Sequence, residues 1–317
     1  MTDAALVVVP PEVPRAWLDS LDEPDAGCEV AVGLDAVPEA RLPEVVGLVS
    51  LLTMPVDAAL LERLPRLRVV SNMAVGYDNV DVAACRARGI AVGNTPGVLT
   101  DATADLTMAL LLAAARGLDA AARDAREGRW QTWSPDGWLG VQLRGATLGI
   151  VGLGKIGYAV AERARGFGVR IVYASRSDHP EAEELGAQRW PLDELLARAD
   201  FVSLHVPLTE QTHHLIDAAA LARMKPSAIL INTARGDVVD QDALVDALRG
   251  GTIAAAALDV TTPEPLPTGH PLFGLSSCLV LPHIGSATHT TRQRMARIAC
   301  TNLLAGIQGA PLAHEVT

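Results

Sequence analysis

Cysteine is sparse in this sequence, and the usual metal-binding patterns of cysteine and histidine are missing. The four cysteines are scattered, without a C-x-x-C pair, at Cys28, Cys85, Cys278 and Cys300. We therefore expect free thiols and no disulfide framework. The eight histidines include no H-E-x-x-H frame and none at zinc-ligand spacing. The sequence predicts no metal site.

Long apolar runs are missing as well. No run approaches the roughly 18–20 residues that a membrane-spanning helix needs. The start, Met1-Thr2-Asp3-Ala4, lacks the charged region and cleavage site of a secretory leader. We therefore expect a soluble cytoplasmic protein with no membrane partner.

Positive charge is scarce relative to negative charge. The chain has 26 Lys and Arg residues against 37 Asp and Glu residues, a net charge of −11. Nucleic-acid binding requires a clustered basic surface, so we expect no nucleic-acid partner. The lysines are only Lys155 and Lys225, which leaves almost no candidates for Schiff-base chemistry.

Length and hydrophobic pattern together indicate two α/β domains. The 317 residues exceed the roughly 250–300 residues at which one hydrophobic core stops growing. Predicted strands fall into a first series, at 6–9, 47–52, 68–71 and 90–92, and a second, at 147–151, 170–174, 201–206, 228–232, 254–260 and 278–281. Because helical patterns separate these runs, the fold class is α/β, with two Rossmann-like doubly wound parallel-sheet domains.

Two helical patterns set the predicted domain boundaries. Residues 101–127, rich in Ala and Leu, predict one long helix that opens the second domain. Residues 287–307 predict a final helix that cannot extend the second sheet and returns to the first domain. The predicted first domain is therefore discontinuous, at 1–98 and 287–317, and the second covers 99–286.

Residues 128–145 form an irregular stretch that holds three of the five tryptophans: Trp130, Trp133 and Trp138. A loop has little core of its own in which to bury large aromatic side chains. We favour a dimer contact for this stretch, with a pocket wall or plain packing as alternatives.

A glycine-rich turn, Gly152-Leu153-Gly154-Lys155-Ile156-Gly157, follows a predicted strand and leads into a helical pattern. In a dinucleotide site the first glycine allows a tight turn, the second lets the backbone approach a pyrophosphate, and the third lets helix and strand pack closely. The N-terminus of the helix adds partial positive charge. This context favours dinucleotide binding over a glycine turn without a ligand.

The residues after the next predicted strand indicate which dinucleotide the site prefers. A site that prefers NAD places Asp or Glu there to accept the ribose 2′-OH, but this chain has Ser175-Arg176-Ser177. An arginine between two hydroxyls can bind a 2′-phosphate. The sequence favours NADP(H) and leaves NAD(H) possible, because Asp178 is close and Arg176 also fits a solvated surface residue.

Three later predicted strands are each followed by a loop with one polar group suited to catalysis: Arg235, Glu264 and His283. The carboxyl ends of strands in a doubly wound sheet open onto the cofactor crevice, so these groups can converge there. Taken singly, Arg235 also fits a surface ion pair, Glu264 a solvated loop acid, and His283 a loop histidine whose hydrogen bonds are satisfied. Their order after the glycine turn favours a joint role.

Reduction of a 2-oxo acid requires groups of these three kinds. Hydride reaches a carbonyl carbon while negative charge develops on the oxygen, so the site needs a proton donor, a carboxylate anchor and control of orientation. His283 can donate the proton, with Glu264 holding the imidazole and favouring its charged form. Arg235 offers a planar fork that matches a substrate carboxylate.

These stretches resemble D-isomer-specific 2-hydroxyacid dehydrogenases over nearly the whole chain, from Val75-Gly76-Tyr77-Asp78-Asn79 to the last helix. Within that family, residues 259–267 and 283–289 look like those of glyoxylate/hydroxypyruvate reductases, and residues 95–104 agree. Thr261 and Thr262 stand where many relatives have an aromatic residue and an acid.

The resemblance implies roles for further residues. It implies a flavodoxin-like substrate domain at 1–98 and 287–317, a Rossmann dinucleotide-binding domain at 99–286, and a homodimer. The implied catalytic set is Arg235, Glu264 and His283; the implied substrate-binding set is Leu52, Val75, Gly76, Arg235 and Trp138, with Trp138 donated by the dimer partner. The cofactor-binding set combines the residues above with those that the resemblance adds: Thr103, Gly152, Leu153, Gly154, Lys155, Ile156, Gly157, Ser175, Arg176, Ser177, His205, Val206, Pro207, Thr212, Thr233, Ala234, Arg235, Asp259, His283 and Gly285.

The implied activity is NADPH-dependent reduction of glyoxylate to glycolate and of hydroxypyruvate to D-glycerate, with His283 as general acid. Two alternatives stay open. One is a dehydrogenase for another D-2-hydroxy acid or for phosphite; formate-specific relatives lack the glutamate that Glu264 supplies. The other is a dinucleotide-sensing protein without catalysis, similar to the transcriptional corepressors that resemble this family.

Overall fold

A computed structural model describes residues 4–316. Residues 1–3 and 317 lie outside the described residues, and with them most of the N-terminal stretch on which the expectation of no leader rests. Contacts divide the chain into two compact units, Met1–Leu99 with Ala287–Thr317, and Thr100–Ser286. The domain boundaries that the sequence predicts are 98/99 and 286/287. No helix between residues 4 and 316 is long and apolar enough to cross a membrane.

The first unit contains a five-stranded parallel sheet in the order β2-β1-β3-β4-β5, the order of flavodoxin-like folds. Its strands are β1 (Ala5–Val9), β2 (Cys28–Val32), β3 (Val45–Ser50), β4 (Val69–Asn72) and β5 (Ala91–Gly93). The sequence analysis did not predict β2. This strand lies at the edge of the sheet and its side chains stay partly exposed, so it lacks the apolar run of the central strands.

The second unit contains a seven-stranded parallel sheet in the order β12-β11-β10-β9-β6-β7-β8. Its strands are β6 (Thr147–Val151), β7 (Arg170–Ala174), β8 (Gln188–Arg189), β9 (Phe201–Leu204), β10 (Ile229–Asn232), β11 (Ala255–Leu258) and β12 (Cys278–Val280). Ile171 and Tyr173 of β7 pack in one core, and Val172 and Ala174 pack in another. Because side chains alternate along a strand, cores cover both faces of this sheet, as the predicted fold class requires.

The helices that connect the strands are α1 (Ala58–Arg63), α2 (Val82–Ala87), α3 (Thr100–Ala115), α4 (Leu118–Arg126), α5 (Lys155–Ala164), α6 (Leu192–Arg198), α7 (Ala218–Arg223), α8 (Gln241–Arg249) and α9 (His289–Ile307). The single helix predicted at 101–127 is wrong, because it is divided into α3 and α4. Gly117 adopts φ +56°, a left-handed conformation that ends helical geometry and suits glycine.

The final helix α9 packs on the sheet of the first unit. A Cβ at Gly306 would lie 2.4 Å from Val69 Cβ, and one at Gly47 would lie 2.8 Å from a methyl group of Leu303. The Ser71 hydroxyl donates to the Ala299 carbonyl oxygen at 2.8 Å. The first unit is therefore built from two separate stretches of sequence.

Candidate active site

The glycine-rich turn lies at the switch point of the larger sheet. Strand order reverses between β6 and β9, and ligands of such sheets bind in the crevice beyond the carboxyl ends of the strands at this point. Gly152 adopts φ +94°, and a Cβ there would lie 2.8 Å from the His205 carbonyl oxygen. At Gly157 a Cβ would lie 2.1 Å from the Gly152 oxygen. Both positions therefore exclude side chains for reasons of packing.

Gly154 is different, because a Cβ there would meet nothing within 4 Å. Gly154 ends the turn and precedes α5, whose first turn contains Lys155, Ile156 and Gly157. The space beside its backbone opens at the N-terminus of a ten-residue helix, where partial positive charge favours an anion. The turn therefore fits the pyrophosphate of a dinucleotide.

A cleft of about 760 Å³ extends from this turn across the ends of β6, β7 and β9. Half of the predicted cofactor residues line it, namely Gly152, Leu153, Gly154, Ser175, Arg176, Ser177, His205, Val206, Pro207 and Thr212. His179, Arg189 and Trp190 also line the cleft, although the sequence analysis did not single them out. No short motif indicates these residues: Arg189 and Trp190 lie far from the glycine turn in sequence and reach the cleft through the short edge strand β8.

The 175–178 loop, Ser175-Arg176-Ser177-Asp178, is hydrogen-bonded to the short edge strand β8 through Arg189. Arg189 in β8 donates hydrogen bonds to the carbonyl oxygens of Ser175 and Arg176, at 2.7 and 2.9 Å. It also forms an ion pair with Asp178. The hydroxyl oxygen of Ser175 lies 3.0 Å from His179 Nε2. Arg176 and Ser177 stay exposed at the cleft.

His205 follows β9 at the inner wall of the cleft. Burial lowers the pKa of its imidazole to about 3, so the ring is neutral at physiological pH. Its Nε2 lies 2.8 Å from the hydroxyl oxygen of Ser203. A neutral ring at this position adds no positive charge to the dinucleotide site.

His283 and Glu264 form a hydrogen-bonded pair beyond the ends of β12 and β11. The distance from His283 Nδ1 to Glu264 Oε2 is 2.7 Å, and each side chain is 25% exposed. Glu264 Oε1 accepts the backbone N–H of Thr261 at 3.0 Å. His283 has φ +53°, an uncommon conformation for a residue with a side chain. Such conformations often occur at functional sites.

Glu264 is held in its charged form by these contacts. Burial alone would raise the pKa of this carboxyl group, but hydrogen bonds and nearby positive charge, above all from His283, lower its pKa overall. The Thr261 N–H and the charge of Arg235 act in the same direction. The carboxylate can therefore orient the imidazole and stabilise its protonated form.

Asp259 fixes the backbone that leads out of His283. It is 1% exposed, and its two carboxylate oxygens accept the backbone N–H groups of Ile284 and Gly285, each at 2.7 Å. Burial raises the pKa of this carboxyl group, against the lowering effect of the two hydrogen bonds. A Cβ at Gly285 would lie 3.1 Å from Asp259 and 3.4 Å from the Thr103 hydroxyl, so Thr103, Asp259 and Gly285 are close together.

Arg235 lies on a loop that packs against the loop of Glu264. Buried Asn232 donates to the Arg235 carbonyl oxygen at 2.8 Å and accepts the Ala234 N–H at 3.0 Å, which fixes the turn after β10. A Cβ at Gly236 would lie 2.3 Å from the Thr261 carbonyl group. The hydroxyl oxygens of Thr233 and Thr107 lie 3.0 Å apart. The structure therefore brings the loops of Arg235, Glu264 and His283 to one edge of the sheet.

Gln241, which the sequence analysis missed, connects α8 to the loop of Glu264. Its side-chain nitrogen donates to the Thr262 carbonyl oxygen at 2.6 Å, and its side-chain oxygen accepts the Thr262 N–H at 3.1 Å. An amide side chain that bonds both groups of one residue fixes the backbone just before Glu264. No sequence pattern links a helix start to a loop 21 residues away.

The other predicted substrate residues, Leu52, Val75 and Gly76, belong to the first unit. They follow β3 and β4, and Leu52 is exposed. The carbonyl oxygens of Val75 and Gly76 accept hydrogen bonds from Asn94 and Asn72, at 2.8 and 2.9 Å. These bonds fix a short turn at the carboxyl end of a buried strand, where backbone N–H groups can receive an anion.

The predicted tryptophan stretch contains no helix or strand between residues 129 and 142. Trp130 is 60% exposed, Trp133 is 79% exposed and Trp138 is 43% exposed. Trp138 Nε1 donates to Asp124 at 3.0 Å, which attaches the stretch to α4. This exposure contradicts the alternative of plain packing within the chain.

Within residues 4–316, one group of side chains has a metal-like composition: His213, His214 and Asp237, with one ligand atom of each within 4.8 Å of the others. The two imidazole rings are stacked, with centroids 4.0 Å apart and planes 22° apart. Nitrogen lone pairs lie in the ring plane, so nearly parallel rings cannot both point at one ion. The group gives no support for a bound metal.

Comparisons with known proteins agree on one family. The family model of the D-isomer specific 2-hydroxyacid dehydrogenase, NAD binding domain, matches residues 108–285. The chain is 49% identical over 311 residues to a protein named glyoxylate reductase in Korarchaeum cryptofilum (strain OPF8), covering 96% of this chain and 93% of that relative.

Solved structures show the same likeness over the full length. A protein from Thermus thermophilus is 49% identical with a TM-score of 0.89, covering 98% of this chain and 100% of that one. An NADPH-dependent glyoxylate/hydroxypyruvate reductase from Sinorhizobium meliloti, crystallised in complex with NADP and malonate, is 35% identical with a TM-score of 0.88. That match covers 99% of this chain and 97% of the relative.

Proposed function

The chain belongs to the D-isomer-specific 2-hydroxyacid dehydrogenase family of NAD(P)-dependent oxidoreductases, and we propose that it reduces glyoxylate to glycolate and hydroxypyruvate to D-glycerate with NADPH. The names of the relatives from Korarchaeum cryptofilum and Sinorhizobium meliloti support these substrates, and the second also supports NADPH.

The pair formed by His283 and Glu264 carries the proposal. Nδ1 of His283 contacts Glu264 at 2.7 Å, which leaves Nε2 to face a substrate. As the 2-oxo group is reduced, negative charge develops on its oxygen, and His283 donates a proton from Nε2 to that oxygen. Glu264 stabilises the positive charge that the imidazole carries before this transfer.

Arg235 binds the carboxylate of the substrate in this proposal. Its guanidinium forms two parallel hydrogen bonds with a carboxylate, and its charge polarises the carbonyl group. The substrate-binding residues proposed in the first unit are Leu52, Val75 and Gly76, and Trp138 is proposed to come from the second protomer. In this arrangement residues 1–98 and 287–317 form the substrate domain.

The cofactor site fits a dinucleotide because the turn at Gly152 and Gly154 and the adjoining cleft match its pyrophosphate and adenosine. When bound, the reduced nicotinamide supplies the hydride that the substrate carbon accepts. Arg176 would hold the 2′-phosphate, while Thr103, Thr233, Ala234, Asp259 and Gly285 would surround the nicotinamide end.

The tryptophan stretch supports a homodimer in our proposal. Trp130 and Trp133, with Leu139 at 78% exposure, present apolar area on one irregular segment, and a second copy of the chain would bury it. The molar mass of the protein in solution tests this directly by light scattering. We also propose that the protein is cytoplasmic.

Steady-state kinetics with NADPH and NADH on glyoxylate and hydroxypyruvate test the reaction through nicotinamide absorbance. We expect turnover of both oxo acids, with NADPH preferred. A parallel panel tests the other dehydrogenase activities: pyruvate with NADPH or NADH, and phosphite and formate with NADP+ or NAD+. Binding of the dinucleotide without turnover on any of these compounds would support the dinucleotide-sensing alternative instead.

Arg235→Ala tests the substrate-binding role separately from the cofactor. We expect a loss of roughly 10²–10³-fold in kcat/KM, typical of removing one charge-stabilising donor, with NADPH affinity largely unchanged. Arg249→Ala, which removes an exposed arginine at the end of α8, serves as the control. Equal loss of cofactor binding and turnover would contradict the role of Arg235.

A further inference from the structure

We propose that Arg189 determines the selectivity of the cleft for a 2′-phosphate, because it fixes the 175–178 loop and neutralises Asp178. The inference rests on the NADP(H) dependence proposed above. It assigns a positioning role to a residue that lies well beyond the loop in sequence. Arg176 itself would make the contact with the phosphate.

The position of Arg189 follows from the shortest strand of the sheet. The strand β8 has two residues and pairs in parallel with β7, so that Arg189 is opposite Tyr173. Tyr173 lies two residues before the loop begins. The guanidinium therefore reaches the loop from the edge of the sheet and not along the chain.

From this position one guanidinium engages two successive carbonyl groups. Nε and Nη2 donate to the Ser175 oxygen at 3.2 and 2.7 Å, and Nη2 also donates to the Arg176 oxygen at 2.9 Å. The planar, rigid arrangement of donors in arginine makes such multiple contacts possible, and lysine cannot reproduce it. The backbone of Arg176 is thereby fixed, and its exposed side chain leaves from a defined position at the cleft.

The remaining arm of Arg189, Nη1, pairs with Asp178. Asp178 is the acid that the sequence offers as an acceptor for the 2′-OH of NAD, and its negative charge would repel a 2′-phosphate. The pair is exposed, with 40% of the arginine and 82% of the aspartate side chain accessible, so its stabilising energy is small. The effect of the pair is local, because it neutralises the negative charge of Asp178. The positive charge of Arg176 in the loop is then unopposed.

Binding of 2′,5′-ADP and 5′-AMP to the full-length protein, measured by calorimetry, tests the inference without turnover. These probes differ only in the 2′-phosphate. For the wild type we expect tighter binding of 2′,5′-ADP. For Arg189→Leu we expect a loss of at least roughly tenfold for 2′,5′-ADP, comparable to losing one charge-assisted contact, and less than about a twofold change for 5′-AMP.

Two further variants separate geometry from charge. Arg189→Lys keeps the charge but not the contacts to both carbonyl groups, so we expect most of the selectivity to be lost. Adding Asp178→Asn to Arg189→Leu removes the unpaired negative charge, so we expect part of the 2′,5′-ADP affinity to return. Arg165→Leu, which removes an exposed arginine outside the cleft, is the control and should bind both probes like the wild type.

Two results would overturn the assignment. These are a ratio of the two affinities in Arg189→Leu that equals the ratio in the wild type, or full selectivity in Arg189→Lys. The failure of the proposed function is distinguishable from these results. A wild type that binds both probes equally contradicts the NADP(H) preference itself, whereas a selective wild type whose variants stay selective contradicts only the role of Arg189.

Discussion

At the scale of single residues, the charge state of Glu264 determines how the proposed proton donor works. The carboxylate holds Nδ1 of His283, so replacing it with a neutral amide weakens both the orientation and the positive charge of the imidazole. For Glu264→Gln we expect kcat to fall roughly 10²–10⁴-fold, the range for general acid catalysis and for loss of the acid that orients a catalytic histidine. NADPH affinity should stay unchanged, because Glu264 contacts the imidazole of His283 and is not among the residues proposed to bind the cofactor.

Steady-state kinetics and cofactor binding measure these two effects. Glu162→Gln, a neutralised and exposed acid on α5, is the matched control. A Glu264→Gln variant with wild-type kcat would show that His283 needs no acid partner, and the proposed mechanism would be wrong.

The lowered pKa of Glu264 also predicts how stability depends on pH. In the unfolded chain the carboxyl group titrates near 4.5, and folding lowers its pKa. The charged form therefore stabilises the fold fully above this value, and the contribution disappears as pH falls through the lowered pKa. The Tm difference between wild type and Glu264→Gln should therefore shrink as pH falls below about 5, as calorimetry can measure. A difference that grows on acidification would contradict the direction of the shift.

The sequence could predict part of the residue-level site. It placed Glu264 and His283 after successive strands and predicted that they pair, and their atoms lie 2.7 Å apart; their catalytic roles stay predictions. It could not find Arg189 or Gln241. Their contacts join segments that are distant in sequence, and no short motif encodes such contacts.

At the scale of elements, the three glycines of the turn are required for different physical reasons. Substitutions of Gly157 and of Gly154 test two of these reasons separately. A Cβ at Gly157 would overlap the Gly152 carbonyl oxygen at 2.1 Å, so Gly157→Ala forces α5 away from β6. A Cβ at Gly154 would meet no protein atom within 4 Å, and its φ of −75° suits alanine.

We therefore expect Gly157→Ala to lower the free energy of unfolding by roughly 1–3 kcal/mol, the usual cost of overpacking. Gly154→Ala should leave Tm unchanged but weaken dinucleotide binding about tenfold or more, because its methyl group occupies the space of the pyrophosphate. Thermal unfolding and NADPH titration measure both effects. A Gly154→Ala variant with wild-type affinity would indicate that the dinucleotide does not approach this turn.

The ends of the strands are predicted from the sequence with uneven accuracy. The sequence predicted β6 and β7 with the observed bounds, since buried parallel strands give continuous apolar runs. It extended other strands too far, among them 201–206 and 254–260, where the chain ends strand pairing at Leu204 and Leu258. His205 and Asp259 follow these ends. His205 and Asp259, which the apolar pattern assigned to strands, therefore belong to the predicted cofactor site.

At the scale of the whole molecule, the two units differ in how the chain builds them. The second unit is one continuous stretch, Thr100–Ser286, whereas the first needs two stretches that are 187 residues apart in sequence. The sequence predicted this discontinuity from the final helix alone, because a helix that follows the last strand cannot add to the second sheet. The sequence did not predict the close contacts that Gly306 in α9 and Gly47 in β3 make.

Continuity predicts that the second unit folds without the first. It has its own cores on both faces of its sheet, and it contains the whole cleft and the loops of Arg235, Glu264 and His283. We expect a fragment of residues 100–286 to unfold cooperatively and to bind 2′,5′-ADP, with no reduction of glyoxylate because Leu52, Val75 and Gly76 are missing. Circular dichroism, calorimetry and the absorbance assay measure these outcomes, with the full-length protein as the reference. A folded fragment that reduces glyoxylate would show that the first unit is not needed for substrate binding, and one that binds no 2′,5′-ADP would show that the dinucleotide site depends on the first unit.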